Sequence, residues 1–225
     1  IMPKHICILQ TSFAKREDSI AYLKERIPDL RIDFITDSSL LTDVRAAGHP
    51  TEDVEARMTL YALAAEKMGA DLIVNTCSTV GEVADRLDKI TRVPVVKIDE
   101  PMARLAVQAG TRIALIATLP TTLGPSRRQI EKIGREQGKE MHCEEFLDQP
   151  AWEALSSGDP ALHNKILMQS IRKLDEQGFD AIVMAQISMR ALLPDLKDVK
   201  TPLLCSFYSG WDHVAELIEQ LPEKE

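Results

Sequence analysis

The chain has no apolar run long enough to cross a bilayer as a helix, which takes about 20 residues. It also lacks excess positive charge. Against 35 Asp and Glu stand only 27 Lys and Arg, a formal net charge of −8, so the basic footprint that neutralises a phosphate backbone is missing. Neither nucleic acid nor a membrane is an expected partner, although the pair Arg127-Arg128 could attract a small anion. Cys7, Cys77, Cys143 and Cys205 form no C-x-x-C pair and no zinc-finger spacing, so neither a disulfide framework nor a bound metal is indicated. Glycine-rich phosphate loops are absent too. No G-x-G-x-x-G or G-x-x-x-x-G-K-[S/T] occurs, which argues against a dinucleotide or nucleoside triphosphate. Lys4–Leu9 reads as a strand, not as a basic stretch followed by an apolar signal segment, with Met2 as initiator and Ile1 as a remnant before it. A cytoplasmic location is the resulting expectation.

What is present is a repeat. Gly69-Ala70-Asp71-Leu72-Ile73-Val74-Asn75-Thr76-Cys77-Ser78-Thr79 aligns without a gap on Gly178-Phe179-Asp180-Ala181-Ile182-Val183-Met184-Ala185-Gln186-Ile187-Ser188. Two further pairs keep the register: Ile6–Thr11 with Ile113–Thr118, and Val93–Val96 with Thr201–Leu204. Hydrophobic content of 44% and charge of 28% suit a soluble globular chain. At 225 residues there is enough sequence for two lobes, each with its own core.

Apolar and β-branched runs predict strands near 5–10, 31–36, 71–75 and 93–98, with helices near 16–27, 51–68, 79–90 and 99–109. The second half predicts strands near 112–117, 140–146, 180–185 and 202–206, and helices near 121–137, 161–177, 189–196 and 210–221. Leu72-Ile73-Val74 and Ile182-Val183-Met184 are apolar on both faces, as in a parallel sheet covered by helices on both sides. The fold class is α/β. Two pseudo-twofold-related lobes are expected, each a four-stranded parallel sheet flanked by helices, with the active site in the cleft between them. Residues 2–100 plus 207–225 would form one lobe and 101–206 the other. Segments 37–50 and 147–160 are the least regular and read as paired loops at strand ends.

Ligands of open parallel sheets bind beyond the carboxyl ends of the strands. Four such segments are rich in short polar side chains: Gln10-Thr11-Ser12, Asn75–Thr79, Thr118–Thr122 and Gln186-Ile187-Ser188. Helix N-termini following them would favour a small anion, a carboxylate or a phosphate. At a strand–helix junction, the Cys77 thiolate would be stabilised below the free value of about 8.5. Cys7, Cys143 and Cys205 lie within strands and read as structural. Glu100 could be a second acid or base, and His49 or Arg57 could reach an anion, but dipole complementation and surface placement are the simpler roles. Met58, Met68, Met168 and Met189 read as core.

The segments Asn75-Thr76-Cys77-Ser78-Thr79-Val80-Gly81 and Ala114-Leu115-Ile116-Ala117-Thr118-x-x-Thr121, with the two-lobe repeat, resemble the aspartate/glutamate/hydantoin racemase superfamily. That superfamily also includes maleate isomerase and arylmalonate decarboxylase. The resemblance runs along essentially the whole chain and implies a cofactor-independent isomerase, often a dimer. In such racemases two cysteines, one per lobe, flank the α-carbon of a carboxylate substrate, one removing a proton and the other returning one. The resemblance implies that Cys77 is the first of the pair. Gln186 stands where the second is expected, and an amide does not exchange a proton with a carbon acid, though it donates two hydrogen bonds. Gln10, Ser12, Asn75, Ser78, Thr79, Thr118, Thr121, Thr122 and Ser188 are the expected substrate contacts. A single-thiol lyase or decarboxylase and a non-catalytic carboxylate-binding protein are the alternatives.

Overall fold

A computed structural model describes residues 2–12 and 16–222. Two compact units emerge, one built from the described residues up to Ile98 and from Tyr208 onward, the other from Asp99–Phe207.

In the first unit the order is β1 (His5–Gln10), α1 (Arg16–Arg26), β2 (Arg31–Thr36), α2 (Ser39–Ala47), α3 (Glu52–Lys67), β3 (Leu72–Asn75), α4 (Gly81–Leu87) and β4 (Val95–Lys97). In the second it is α5 (Glu100–Ala109), β5 (Arg112–Ala117), α6 (Pro120–Glu136), β6 (His142–Leu147), α7 (Gln149–Ser156), α8 (Pro160–Asp175), β7 (Ala181–Met184) and β8 (Leu203–Cys205). Helix α9 (Ser206–Gln220) follows.

Each unit has one four-stranded sheet, ordered β2-β1-β3-β4 in the first and β6-β5-β7-β8 in the second, with every neighbouring pair parallel. The central strands are the apolar runs. Every residue of β3 and of β7 is buried, whereas the edge strands β2 and β6 are partly exposed because only one side of each is paired. Cys143, on β6, is therefore half-buried and not in the core. Ile6, Ile73 and Val74 anchor the first core, and Ile113, Leu115 and Val183 the second.

The two stretches expected to be irregular both contain a helix. Asp37 takes the backbone N–H of Ser39 at 2.8 Å, and α2 begins there. Asp148 takes the N–H of Ala151 at 3.2 Å and starts α7, with Pro150 in the first turn, where its missing N–H costs nothing. Asp159 then takes the N–H of Leu162 at 2.9 Å and starts α8. The expected helix at 189–196 is instead a 3-10 run over Ile187–Asp195 that contains Pro194. Met68, expected in the core, caps the end of α3 and is 39% exposed.

Helix α9 packs against the elements of the first unit. Tyr22 donates its hydroxyl to Asp212 at 2.8 Å, and Arg26 grips Glu219 through Nε at 2.7 Å and Nη2 at 2.6 Å. Gly210 comes close enough to Ile98 that an added Cβ would lie 2.3 Å from the Ile98 carbonyl oxygen. Among the described residues no helix is long and apolar enough to cross a membrane.

Candidate active site

In each sheet the chain leaves its first strand toward one edge and its third toward the other, so the topological switch point lies between β1 and β3 and between β5 and β7. Adjacent crossovers diverge there and leave the carboxyl ends of the two central strands open to a ligand.

At the first switch point stand Thr11 and Cys77. The backbone of Thr76 bonds to Leu9 O at 3.1 Å, joining the two strand ends. Cys77 is extended (φ −116°, ψ 112°), and Val80 N–H returns to its carbonyl at 3.3 Å, closing a 3-10 turn over Ser78–Val80. Asn75, buried, donates its Nδ2 to the same carbonyl at 3.0 Å. Asn75 therefore shapes the backbone that presents the thiol.

Burial pushes the Cys77 thiol above its ordinary value, opposed by hydrogen bonds from the side chain of Thr11, from both backbone and side chain of Thr79, and from the backbone of Val80. This corrects the expectation of a lowered value. The turn after Cys77 is 3-10 rather than α, and α4 is a seven-residue helix that begins only at Gly81, so little helix dipole reaches the sulfur and desolvation outweighs it.

The second switch point carries the repeat of this arrangement. Gln186 is extended (φ −124°, ψ 129°), Met189 N–H returns to its carbonyl at 2.9 Å, and Ala185 N–H bonds to Ile116 O at 3.0 Å. Thr118 meets the Gln186 side chain, donating to Oε1 from its backbone N–H at 2.7 Å and from its hydroxyl at 3.0 Å. The position that holds a sulfur in one half holds an amide in the other, and each is touched by the strand-end threonine of its own half, Thr11 for Cys77 and Thr118 for Gln186.

The remaining expected residues divide by placement. Thr79, Thr118 and Thr122 are buried, Ser78 and Thr121 half-buried, and Ser12 and Ser188 exposed. Thr121 and Thr122 lie in the first turn of α6, where Thr122 N–H bonds to Leu119 O at 3.2 Å. Gln10 turns toward the edge strand and donates to Thr36 Oγ1 at 2.9 Å. Thr11, 7% exposed, was not among the expected contacts. Its alignment with Thr118 in the repeat was the available signal.

Groups outside the switch points are engaged elsewhere. Glu100 pairs with Arg104 at 2.7 Å on α5. Arg57 donates to Asp37 at 3.3 Å and also to Ser39 and Asp43, so its guanidinium is already committed to carboxylates. His49 lies exposed, its Nδ1 3.0 Å from Pro50 O. Cys205, at the carboxyl end of β8, has its Sγ 3.8 Å from Ile187 O. Burial raises its thiol, and the Phe207 N–H and the Arg190 charge oppose that rise. Among the described residues no cluster of three or more His, Cys, Asp or Glu side chains is arranged to hold a metal ion.

A family model described as Asp/Glu/hydantoin racemase matches residues 17–210. A glutamate racemase of Picosynechococcus sp. is 34% identical over 122 residues, which are 52% of this chain and 42% of that protein. The match thus spans less than half the length of that curated relative. The structure of Picrophilus torridus aspartate racemase is similar with a TM-score of 0.70 at 13% identity, covering 98% of this chain and 96% of that one. Glutamate racemase from Francisella tularensis subsp. tularensis SCHU S4, in complex with D-glutamate, is similar with a TM-score of 0.72 at 14% identity, covering 100% of this chain and 86% of that one. At such identities the solved structures speak to the fold, and the family match carries the relationship.

Proposed function

The chain belongs to the Asp/Glu/hydantoin racemase family, and from that premise we propose that it transfers a proton at the α-carbon of a small carboxylate or amino-acid derivative, with Cys77 as the proton carrier. The observation that carries this reading is the thiol at the β1/β3 switch point, half-buried and supported by Thr11, Thr79 and Val80. A carbon acid beside a carboxylate becomes an enediolate when it loses its proton, and the added negative charge is best met by fixed hydrogen-bond donors. The hydroxyls of Ser78, Thr79, Thr121 and Thr122, with the amide of Gln186, are the proposed donors.

The raised pKa fits this chemistry in a definite way. At neutral pH the resting thiol is protonated and is a proton donor to a carbanion. Once deprotonated, a poorly solvated thiolate is a stronger base than one in water, which is what a weak carbon acid demands. On this reading proton transfer needs no pyridoxal phosphate, and the substrate is an anion.

A second reading has one observation in its favour. Gln186 is tied through its carbonyl to Thr118 and does not exchange protons with carbon, so Cys77 would serve one face of the substrate only. A lyase or decarboxylase that protonates its enediolate from that face fits this arrangement. The deciding experiment is α-proton exchange in D₂O over amino acids, hydantoins and substituted malonates, with Cys77→Ala as control. Thiol-dependent exchange supports the proposal. Binding without any exchange would leave a carboxylate-binding protein in its place.

A further inference from the structure

We infer that Gln186 is a directional hydrogen-bond donor, turned by Thr118 so that its Nε2 amide meets a ligand carboxylate. The inference rests on the small-carboxylate reading above. Thr118 acts through Gln186 and is a positioning residue.

The two ends of a glutamine amide are told apart only by their partners. Here one partner settles the matter, because the Thr118 backbone N–H, 2.7 Å from the amide, can only donate. The atom facing it must be Oε1. The Thr118 hydroxyl, 3.0 Å away, reinforces the assignment. Thr118 is 2% exposed, so these two bonds form on the dry side of a half-buried glutamine. No acceptor among the described residues takes the Nε2 hydrogens, and an NH₂ group that only donates selects an acceptor and disfavours an ammonium group.

The repeat supports this division. Thr11, the counterpart of Thr118, directs its hydroxyl to Cys77. Each half thus keeps the threonine that holds the residue at the end of its third strand, while the held group differs. The first half offers a thiol that moves a proton, and the second offers two fixed N–H groups that do not.

The test uses the Cys77→Ala protein, in which binding is read without turnover, and follows the Gln186 side-chain amide by ¹⁵N NMR. The Gln186→Glu variant, which Thr118 can hold through the same two bonds, identifies the signal by its loss. Acetate, malonate and D-glutamate are the probes, with ethylamine as the control. Malonate or D-glutamate should shift the Gln186 pair to saturation and ethylamine should not. Gln186→Glu should weaken that binding by about tenfold or more, as a lost charge-assisted bond and a new like-charge contact require. Thr118→Val should displace the resting signal and weaken binding, and Thr118→Ser should restore both. Carboxylates that leave the Gln186 signal unmoved at tens of millimolar, or that bind Gln186→Glu as tightly, would overturn the inference. Failure of α-proton exchange in the enzyme with intact Cys77, while carboxylates still move the Gln186 signal, would overturn the proposed chemistry alone.

Discussion

Asp180 lies so close to the backbone at Gly110 that a Cβ added there would sit 2.2 Å from Asp180 Cγ. The contact exists because Asp180 Oδ2 accepts the N–H groups of both Thr111 and Arg112 at 2.9 Å, tying the start of β5 to the entrance of β7. Asp71, its counterpart in the repeat, takes the His5 N–H at 2.8 Å at the start of β1.

Gly110→Ala should therefore destabilise the second unit by steric overlap alone, since the glycine backbone is extended (φ 162°) and open to any residue. The expected cost is about 1–3 kcal/mol, as for other overpacked sites. Urea unfolding should show a lower midpoint with an unchanged slope. An unaltered midpoint would mean that Asp180 moves aside freely.

Stability should fall in alkali. Burial, with the Asp33 charge, raises the Cys7 thiol from 9.0 to about 12, and burial raises Cys143 likewise to about 12. The unfolded chain then releases these protons first, so the stabilisation is complete below pH 9 and is lost as pH rises toward 12. For Cys7, fully buried, the rise from 9.0 to about 12 corresponds to at most about 4 kcal/mol. Denaturation between pH 8 and 11 should show the loss, and Cys7→Ala should flatten the profile while lowering stability at neutral pH.

The central strands were legible because each is a short apolar run, the edge strands β2 and β6 only through apolar residues scattered among charged ones, and the switch-point residues because they follow the central runs directly. Helices α2 and α7 were not. Asp37-Ser38-Ser39 and Asp148-Gln149-Pro150 carry the same residues that make loops, and only their hydrogen bonds to Ser39 and Ala151 reveal them as helix starts. The sequence places Cys77 at a strand end but is silent on its desolvation, which depends on packing. It marks Gln186 as a departure from the pattern, but the double bond from Thr118 is a matter of side-chain geometry.

Asp37 joins α2 and α3 to the sheet: its N–H bonds to Gln10 O at 3.1 Å, and its carboxylate accepts Ser39 Oγ at 2.5 Å and Tyr61 OH at 2.7 Å. Burial alone would raise its pKa, but these bonds and the Arg57 charge outweigh burial and hold it below 3.8. A depressed carboxyl stabilises above its unfolded pKa and loses that contribution as pH falls through its folded value. Protection of the amides over 39–47 against hydrogen exchange, taken relative to the unfolded chain at the same pH, should thus fall below about pH 4 by more than global stability does. Asp37→Asn should give that loss of protection already at pH 7. Equal protection in parent and variant would show that α2 is held by its apolar face, Leu40 and Val44, alone.

Thiol labelling should follow burial as well as acidity. Cys77 and Cys143 are half-buried, while Cys7 and Cys205 are buried, so iodoacetamide should modify Cys77 ahead of Cys7 and Cys205. The Cys77 rate should keep climbing above pH 9, since its thiol is shifted up. A plateau near pH 7 would mean an acidic thiolate and a more open site.

The substitution between the repeats can itself be reversed. Gln186→Cys supplies at the end of β7 the group that Cys77 supplies at the end of β3, with Thr118 standing in its half where Thr11 stands beside Cys77. If one thiol serves one face, the parent protein should exchange the α-proton of its substrate for deuterium with little change of configuration. Gln186→Cys should raise racemisation relative to exchange. Cys77→Ala should lower both by a hundredfold or more, on the order expected for removing the acting acid–base group. Exchange is read by ¹H NMR in D₂O and configuration by chiral chromatography on the same samples. Were Gln186→Cys to leave the ratio unchanged while Cys77→Ala kept full turnover, proton transfer by thiols would have to be given up for this chain.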